Sequence, residues 1–184
     1  MPIKNIKKGA ILVARPSLNI DIFSRSVVLI TEHSEFGSVG FVLNKSSEIS
    51  LNNLMDKTAY NFNLFNGGPL DKQSLFYLHK RPDIINNSIY IMDNLYWGGD
   101  FTTLQECIQN NSIKPEEINF YLGYCGWGKD QLKNELESKE WDLINDYSFD
   151  LFSKLDQNLW RILMKKKGGE NLIWLNTPFD PSMN

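Results

Sequence analysis

The stretch that most constrains this chain is residues 121–136, which reads YLGYCGWGKDQLKNEL. An apolar run passes through three closely spaced glycines and then changes abruptly into a charged pattern with helical periodicity. This order predicts a strand over residues 118–125, a tight corner, and a helix over residues 129–139. Any fold for the chain must therefore join a buried strand directly to an amphipathic helix.

The remaining pattern places most strands early in the chain and most helices later, which favours an α+β fold over an alternating parallel sheet. At 184 residues the chain fits a single domain, residues 1–184. The strands and helices are assigned from apolar runs and from the Gly, Pro, Ser and Asp residues at which these runs begin or end. Strands are predicted at 9–14, 26–31, 38–43, just before 67–69, 74–79, 88–92 and 141–144. Further helices are predicted at 51–57, from a cap at Asp100 or Thr102 to about Asn110, and at 157–167.

The glycine-rich corner has two interpretations. A strand, a tight turn and a helix form the setting of a nucleophile elbow, with Cys125 as the thiol, but Trp127 stands where the second glycine of that motif belongs. The alternative is architecture: Cys125 as a small buried residue, Trp127 as a buried anchor, and Gly128 as a helix cap with Gln131 bonding back to it. The architectural interpretation fits the residues better. Glu135 and Lys139 are expected to form an exposed pair.

Composition and charge disfavour several classes of protein. Two cysteines are too few for a disulfide framework, so free thiols in a reducing compartment are expected. The apolar runs are too short for a signal peptide or a membrane span, which indicates a cytoplasmic protein without a membrane partner. A net charge of −3 and the lack of a basic recognition helix disfavour nucleic acid as a partner.

Six ordered blocks of the sequence resemble the YqgE/AlgH family of small bacterial cytoplasmic proteins, some of which are named transcriptional regulators. Cys125 and Lys129–Asp130 depart from the alanine and the Pro-Gly pair that are typical there. The blocks are GAILVARPSL, FSRSVVLITEH, GSVGFVLNK, NGGPL with LFYLH, YLGYCGWGKDQLKNEL, and the tryptophan at position 141. The resemblance implies an α+β fold with a bifurcated, partly barrel-like, mostly antiparallel β-sheet surrounded by helices. It implies no established catalytic residue, cofactor or metal.

Strand ends and the turns after them supply the candidate ligand site. We expect these residues to border one concave region that holds a small anion or the acidic side chain of a protein partner. The arginine would supply charge, the glycine amides would donate hydrogen bonds, and the histidine would be a pH-sensitive donor. The residues are Arg25, Asn44, Gly67, Gly68, His79, Gly126 and Trp127.

Two function classes remain open on this basis. The first is a non-catalytic regulatory or binding module. The alternative is an enzyme of unknown reaction with a site near Arg25, His79 and the glycine-rich turns. No metal-ligand spacing is present around His33 or His79, so neither a metal nor another cofactor is expected. The sequence leaves the oligomeric state open.

Overall fold

The computed structural model describes residues 5–18, 21–55, 58–153, 155–169 and 175. These residues form nine strands and three α-helices, and the α+β fold class is the one predicted. The strands are β1 Ile11–Ala14, β2 Val27–Ser34, β3 Gly37–Val42, β4 Leu64–Asn66, β5 Leu70–His79, β6 Ile89–Met92, β7 Leu95–Trp97, β8 Ile118–Gly128 and β9 Trp141–Ile144. The helices are α1 Phe101–Gln109, α2 Gln131–Glu137 and α3 Asn158–Lys167.

One strand, β8, belongs to both halves of the sheet and makes it bifurcated. The strands run β6-β7-β5-β8-β3-β2-β1-β9, all antiparallel to their neighbours, and β4 adds to β8 in parallel. The first half of β8 pairs with β5 and β4, and its last four residues pair with β3. Gly123, with φ +71°, lies between the two regions. Glycine suits that backbone conformation because it has no Cβ.

Each helix covers a different apolar cluster. Alternate residues of a strand face opposite sides, so β1 contributes Ile11 to one cluster and Leu12 to another. The face of α3 that carries Trp160 packs on the first cluster, and Leu132 of α2 packs on the cluster that contains Leu12. Leu104 of α1 belongs to a third cluster with Phe120 of β8. Burial in these three clusters fixes the helices against the sheet.

The structure differs from the sequence prediction at several boundaries. β8 does not end at residue 125 but continues to Gly128, and α2 begins at Gln131 instead of residue 129. The corner is formed by Lys129 and Asp130, and Asp130 has the positive φ of 60°. The predicted helix at 51–57 is a 3₁₀ turn over Leu51–Asn53; residues 56 and 57 lie outside the described residues. The short strand β7 was not predicted.

Candidate functional site

The turn Gly67–Gly68–Pro69 crosses β8 at contact distance. A Cβ on Gly68 would lie 2.1 Å from the carbonyl carbon and oxygen of Tyr124, so only glycine fits there. The Gly67 amide donates to the Leu122 carbonyl at 2.7 Å, and its carbonyl accepts from the Val42 amide at 2.8 Å. The polar groups of Gly67 therefore hold the turn against β8 and β3. The sequence predicted that the amides of Gly67 and Gly68 donate to a ligand. For Gly67 this is wrong, because its amide donates to the Leu122 carbonyl.

Two lysines and Gly68 line one cavity of about 380 Å³ beside this turn. The Lys45 ammonium donates to the Ser24 carbonyl at 2.8 Å, which holds its side chain at the cavity. Among the described residues the lining includes no carboxylate. We call this cavity the two-lysine pocket; its described lining is Ile22, Lys45, Asn66, Gly68, Lys72 and Leu122.

An irregularity in β5 brings Lys72 to the two-lysine pocket. The register between β5 and β8 jumps from Leu70 opposite Tyr124 to Leu75 opposite Leu122. Four residues of β5, 71–74, thus lie opposite the single β8 residue Gly123, and they bulge out of the sheet. A Cβ on Gly123 would lie 3.3 Å from the Lys72 Cα, so the glycine lets the bulge pack closely. Sheet geometry therefore fixes the position of the Lys72 backbone.

Other concave surfaces carry a mixed or an acidic charge. Two cavities of about 330 and 380 Å³ lie around the turn between β2 and β3 and share His33, Ser34, Gly37 and Ser38. The described residues that line these two cavities include both cationic and anionic side chains. A groove of about 480 Å³ between the β6–β7 turn and residues 145–152 is lined by three aspartates and Lys80. An anion would be repelled by the carboxylates of that groove.

Arg25 and Asn44, two of the predicted ligand residues, lie next to each other. The buried Asn44 side chain accepts from the Val27 amide at 2.8 Å and donates to the Arg25 carbonyl at 3.0 Å. Asn44 therefore connects the chain after β3 to the start of β2. Its side-chain oxygen and nitrogen both bond to backbone groups, and a ligand is not needed to satisfy them. The Arg25 guanidinium lies 5.5 Å from the centre of the Trp160 ring.

His79 is fully buried, and both ring nitrogens contact the backbone. Nδ1 accepts from the Arg81 amide at 3.1 Å, which leaves Nε2 to donate to the Gly98 carbonyl, also at 3.1 Å. Burial lowers the pKa of His79 to about 4, although the Gly98 carbonyl and then the charge of Asp83 act in the opposite direction. The side chain is therefore neutral at pH 7 and holds the end of β5 to the chain after β7.

The predicted residues do not border one common concave region. His79 is opposite Ile118 at the first residue of β8, whereas Trp127 is near its end. Nine steps of an extended strand, shortened by the bend at Gly123, separate these positions by roughly 25 Å. Gly126 pairs with Val39 in the region near Trp127. Of the seven, Gly68 lies at the two-lysine pocket and Trp127 at a cavity beside the β2–β3 turn.

Comparison with known proteins identifies the family. The profile of the AlgH-like family matches residues 11–172. The chain belongs to the AlgH-like family. It is 40% identical to a UPF0301 protein of Cytophaga hutchinsonii, over 97% of this chain and 100% of that protein. It is 34% identical to a UPF0301 protein of Parabacteroides distasonis, over 96% and 91% of the two chains.

Solved structures have the same AlgH-like fold. The crystal structure of protein DIP2367 from Corynebacterium diphtheriae has a TM-score of 0.75 and 24% identity, and the match covers 96% of this chain and 95% of that one. The solution structure of AlgH from Pseudomonas aeruginosa has a TM-score of 0.70 and 21% identity, with 98% and 100% covered. At these identities the likeness concerns the fold alone.

The AlgH-like segment 121–136 is held together by one carboxylate. Glu135 Oε2 accepts from the indole nitrogens of Trp127 and Trp141, both at 2.8 Å, and Glu135 Oε1 accepts from Gln131 at 2.9 Å. Gln131 in turn accepts from the Gly128 amide at 3.0 Å, the bond that the sequence predicted. Glu135 is half-buried in this network instead of pairing at the surface with Lys139.

Cys125 has the environment of a core residue and not of a nucleophile. Its side chain is fully buried, and its sulfur lies 3.4 Å from the Gly67 carbonyl oxygen. Burial raises the pKa of the thiol to about 12, so it is protonated at neutral pH. Both Cys107 and Cys125 are free thiols. The structure thus agrees with the architectural interpretation of the corner in this AlgH-like chain, except that Gly128 is not the helix cap: it ends β8, and the N-cap of α2 is Asp130.

Neither lysine of the two-lysine pocket was identified from the sequence. The available signal was that Lys45 directly follows the predicted ligand residue Asn44 and that Lys72 follows Gly68 closely, but the bulge that brings Lys72 inward has no sequence signature. Within the described ranges, no three His, Cys, Asp or Glu side chains are grouped to hold a metal ion. No helix in the described part of the chain is long and apolar enough to cross a membrane.

Proposed function

We propose that this AlgH-like protein is a non-catalytic regulatory or binding module whose ligand is a small anion held in the two-lysine pocket. The observation that carries the proposal is that Lys45, Lys72 and Gly68 line one cavity. Ammonium groups bind phosphate and carboxylate oxygens through charge-assisted hydrogen bonds. Ile22 and Leu122 form apolar walls that suit an anion with a hydrocarbon portion.

Binding is better supported than catalysis. A catalytic nucleophile needs a base within hydrogen-bond reach. The Cys125 thiol is protonated and buried, and the nitrogens of His79 are used by backbone groups. The alternative enzyme near Arg25, His79 and the glycine turns would also need His79 close to the glycines of the corner, but His79 lies opposite Ile118 at the start of β8, whereas Gly126 and Gly128 lie at its end. We therefore favour a protein that changes its interactions when an anion occupies the pocket.

Titration of ¹⁵N-labelled protein with inorganic phosphate tests this function. The amide resonances of Gly68 and Lys72 should shift and saturate. Lys72→Ala should weaken binding about five- to tenfold, since one exposed charge contributes about 1 kcal/mol. Lys133→Ala is the matched control, because this exposed lysine of α2 lines a different cavity.

The proposal fails if phosphate produces no saturable shift of these resonances, or if Lys72→Ala and Lys133→Ala weaken phosphate binding equally. The second result would mean that phosphate responds to net charge and not to the pocket. Random-sequence duplex DNA at physiological salt serves as a further probe in the same titration. It should leave the spectrum unchanged, because the chain carries a net charge of −3 and nucleic-acid binding depends on a basic excess.

A further inference from the structure

The lining of the two-lysine pocket includes Asn66, which belongs to the one Asn-Gly pair in the sequence. Asparagine is chemically labile, and most so before glycine, because no Cβ hinders the next backbone nitrogen. That nitrogen, here of Gly67, attacks the side-chain carbonyl carbon of Asn66. The bond from this carbon to Nδ2 breaks, and ammonia leaves with the amide proton. Water then opens the cyclic imide to aspartate or isoaspartate.

The folded turn opposes the first step of this reaction. The Asn66 side chain is exposed, but Gly67 is buried, and its amide donates to the Leu122 carbonyl at 2.7 Å. Ring closure brings the Gly67 nitrogen next to the Asn66 Cβ, so the extended backbone at the end of β4 must rotate. The backbone of Gly67 is packed so tightly that an added Cβ would collide with the Gly123 carbonyl oxygen. The reaction therefore requires the turn to leave β8.

The product would alter the two-lysine pocket. Deamidation replaces the neutral amide of Asn66 with a carboxylate in the same lining as Lys72. A carboxylate there competes with a bound anion for the ammonium group. Isoaspartate also lengthens the main chain by one carbon atom, whereas Gly68 packs on the Tyr124 carbonyl without space for a Cβ. A turn that contains isoaspartate therefore cannot return to its place against β8.

We propose that Asn66–Gly67 is a latent deamidation site that the closed turn protects. Opening of the turn converts Asn66 to aspartate or isoaspartate and lowers the anion affinity of the two-lysine pocket. The effect on affinity rests on the proposed anion-binding function, whereas the modification itself does not. Molecules whose turn has opened would then differ permanently from the others in their affinity for the anion.

Peptide mass spectrometry of the parent protein, incubated in mildly alkaline buffer with and without guanidinium chloride, tests the modification. Deamidation of Asn66 should be at least about tenfold faster in the denaturant, because only the open turn reacts. Equal rates in the two conditions would overturn the protective role of the turn.

A pair of glycine variants tests the same point without denaturant. Gly68→Ala should speed deamidation of Asn66 about tenfold or more, since its Cβ meets backbone atoms of Tyr124 and favours the open turn. Gly128→Ala is the matched control, because its Cβ has no neighbour closer than 3.9 Å, and it should deamidate as the parent does. Equal rates for the two variants would contradict the inference. If Gly68→Ala does not fold, the comparison of native and denatured parent decides.

Phosphate titration of Asn66→Asp tests the effect on the two-lysine pocket. The new carboxylate should weaken phosphate binding about five- to tenfold. Asn61→Asp is the matched control, because this exposed asparagine lines a different cavity, and it should bind phosphate as the parent does. Equal affinities for the two variants would overturn the effect on the pocket and leave the proposed function standing. If the parent binds no phosphate, the proposed function fails, and the deamidation rates alone judge the modification.

Discussion

Glu135 illustrates how a single side chain can determine the spacing of a sequence segment. An indole can only donate a hydrogen bond, so each of the buried tryptophans 127 and 141 needs an acceptor. Gln131 and Glu135 are one helical turn apart, and the turn at Lys129–Asp130 brings both over the end of β8. The distance in sequence from Trp127 to Glu135 is thus set by the corner and one turn of helix.

Glu135→Ala should lower the free energy of unfolding by about 2–4 kcal/mol, because two indole donors lose their acceptor inside the protein. Urea denaturation followed by circular dichroism measures the change. Glu137→Ala is the control, since it removes the same charge from an exposed position of α2 and should have an effect within about 0.5 kcal/mol. Equal stabilities for the two variants would show that the indoles do not depend on Glu135.

At the scale of elements, the glycine turn and the bulge of β5 both depend on close backbone contact with β8. Gly68 packs on the carbonyl of Tyr124, and Gly123 packs on the Lys72 Cα. These contacts place a loop and a bulge side by side against one strand without intervening side chains, since a Cβ on Gly123 would meet both the Gly68 carbonyl oxygen and the Lys72 Cα. The two-lysine pocket is a product of this arrangement, since Gly68 and Lys72 both line it.

Gly68→Ala should lower the free energy of unfolding by about 3 kcal/mol or more, because the new Cβ meets backbone atoms that cannot rotate away. Gly128→Ala offers a matched comparison in the same sheet. A Cβ at Gly128 has its nearest neighbour at 3.9 Å, the Oε1 of Gln131, so this variant should be as stable as the parent or slightly more stable. Thermal and urea denaturation of both variants test this; a stable Gly68→Ala would mean that the turn can move off β8.

Most strands and helices could be predicted from the sequence, because apolar periodicity is a local pattern. It placed the end of β8 too early, since Gly126 and Gly128 resemble turn residues although they pair with β3. That pairing is set by a strand about 90 residues earlier, which no local pattern reveals. The candidate site was less predictable for the same reason. His79 ends β5 as expected and Asn44 follows β3 closely, but Asn44 bonds to the backbone of Val27 and Arg25, and His79 Nε2 bonds to the Gly98 carbonyl, all distant in sequence.

The stability of the whole molecule should depend on the protonation of His79. Its pKa is about 4 in the folded protein and about 6.5 in an unfolded chain. The unfolded chain therefore binds more protons between these values, so this contribution is complete above pH 6.5 and is lost as the pH falls towards 4. Between pH 7 and pH 5 the loss from His79 amounts to about 2 kcal/mol.

Urea denaturation at pH 7 and pH 5 should therefore show a smaller pH-dependent loss of stability for His79→Gln than for the parent protein. Carboxylates that titrate in this range contribute equally to both proteins and cancel in the comparison. His33→Gln, at an exposed position, should keep the loss seen in the parent. Identical pH dependence for the parent and His79→Gln would show that burial does not suppress protonation of this ring.

The position of β8 in both halves of the sheet has a consequence for synthesis of the chain on the ribosome. β3 and β5 are complete once residue 79 has been made, but their shared partner ends only at Gly128. At about 5–20 residues per second, the intervening 49 residues take roughly 2–10 s. Throughout that interval the nascent chain has two strand edges without their partner, and such edges can pair with other chains. Rapid translation of this middle segment would shorten the exposure.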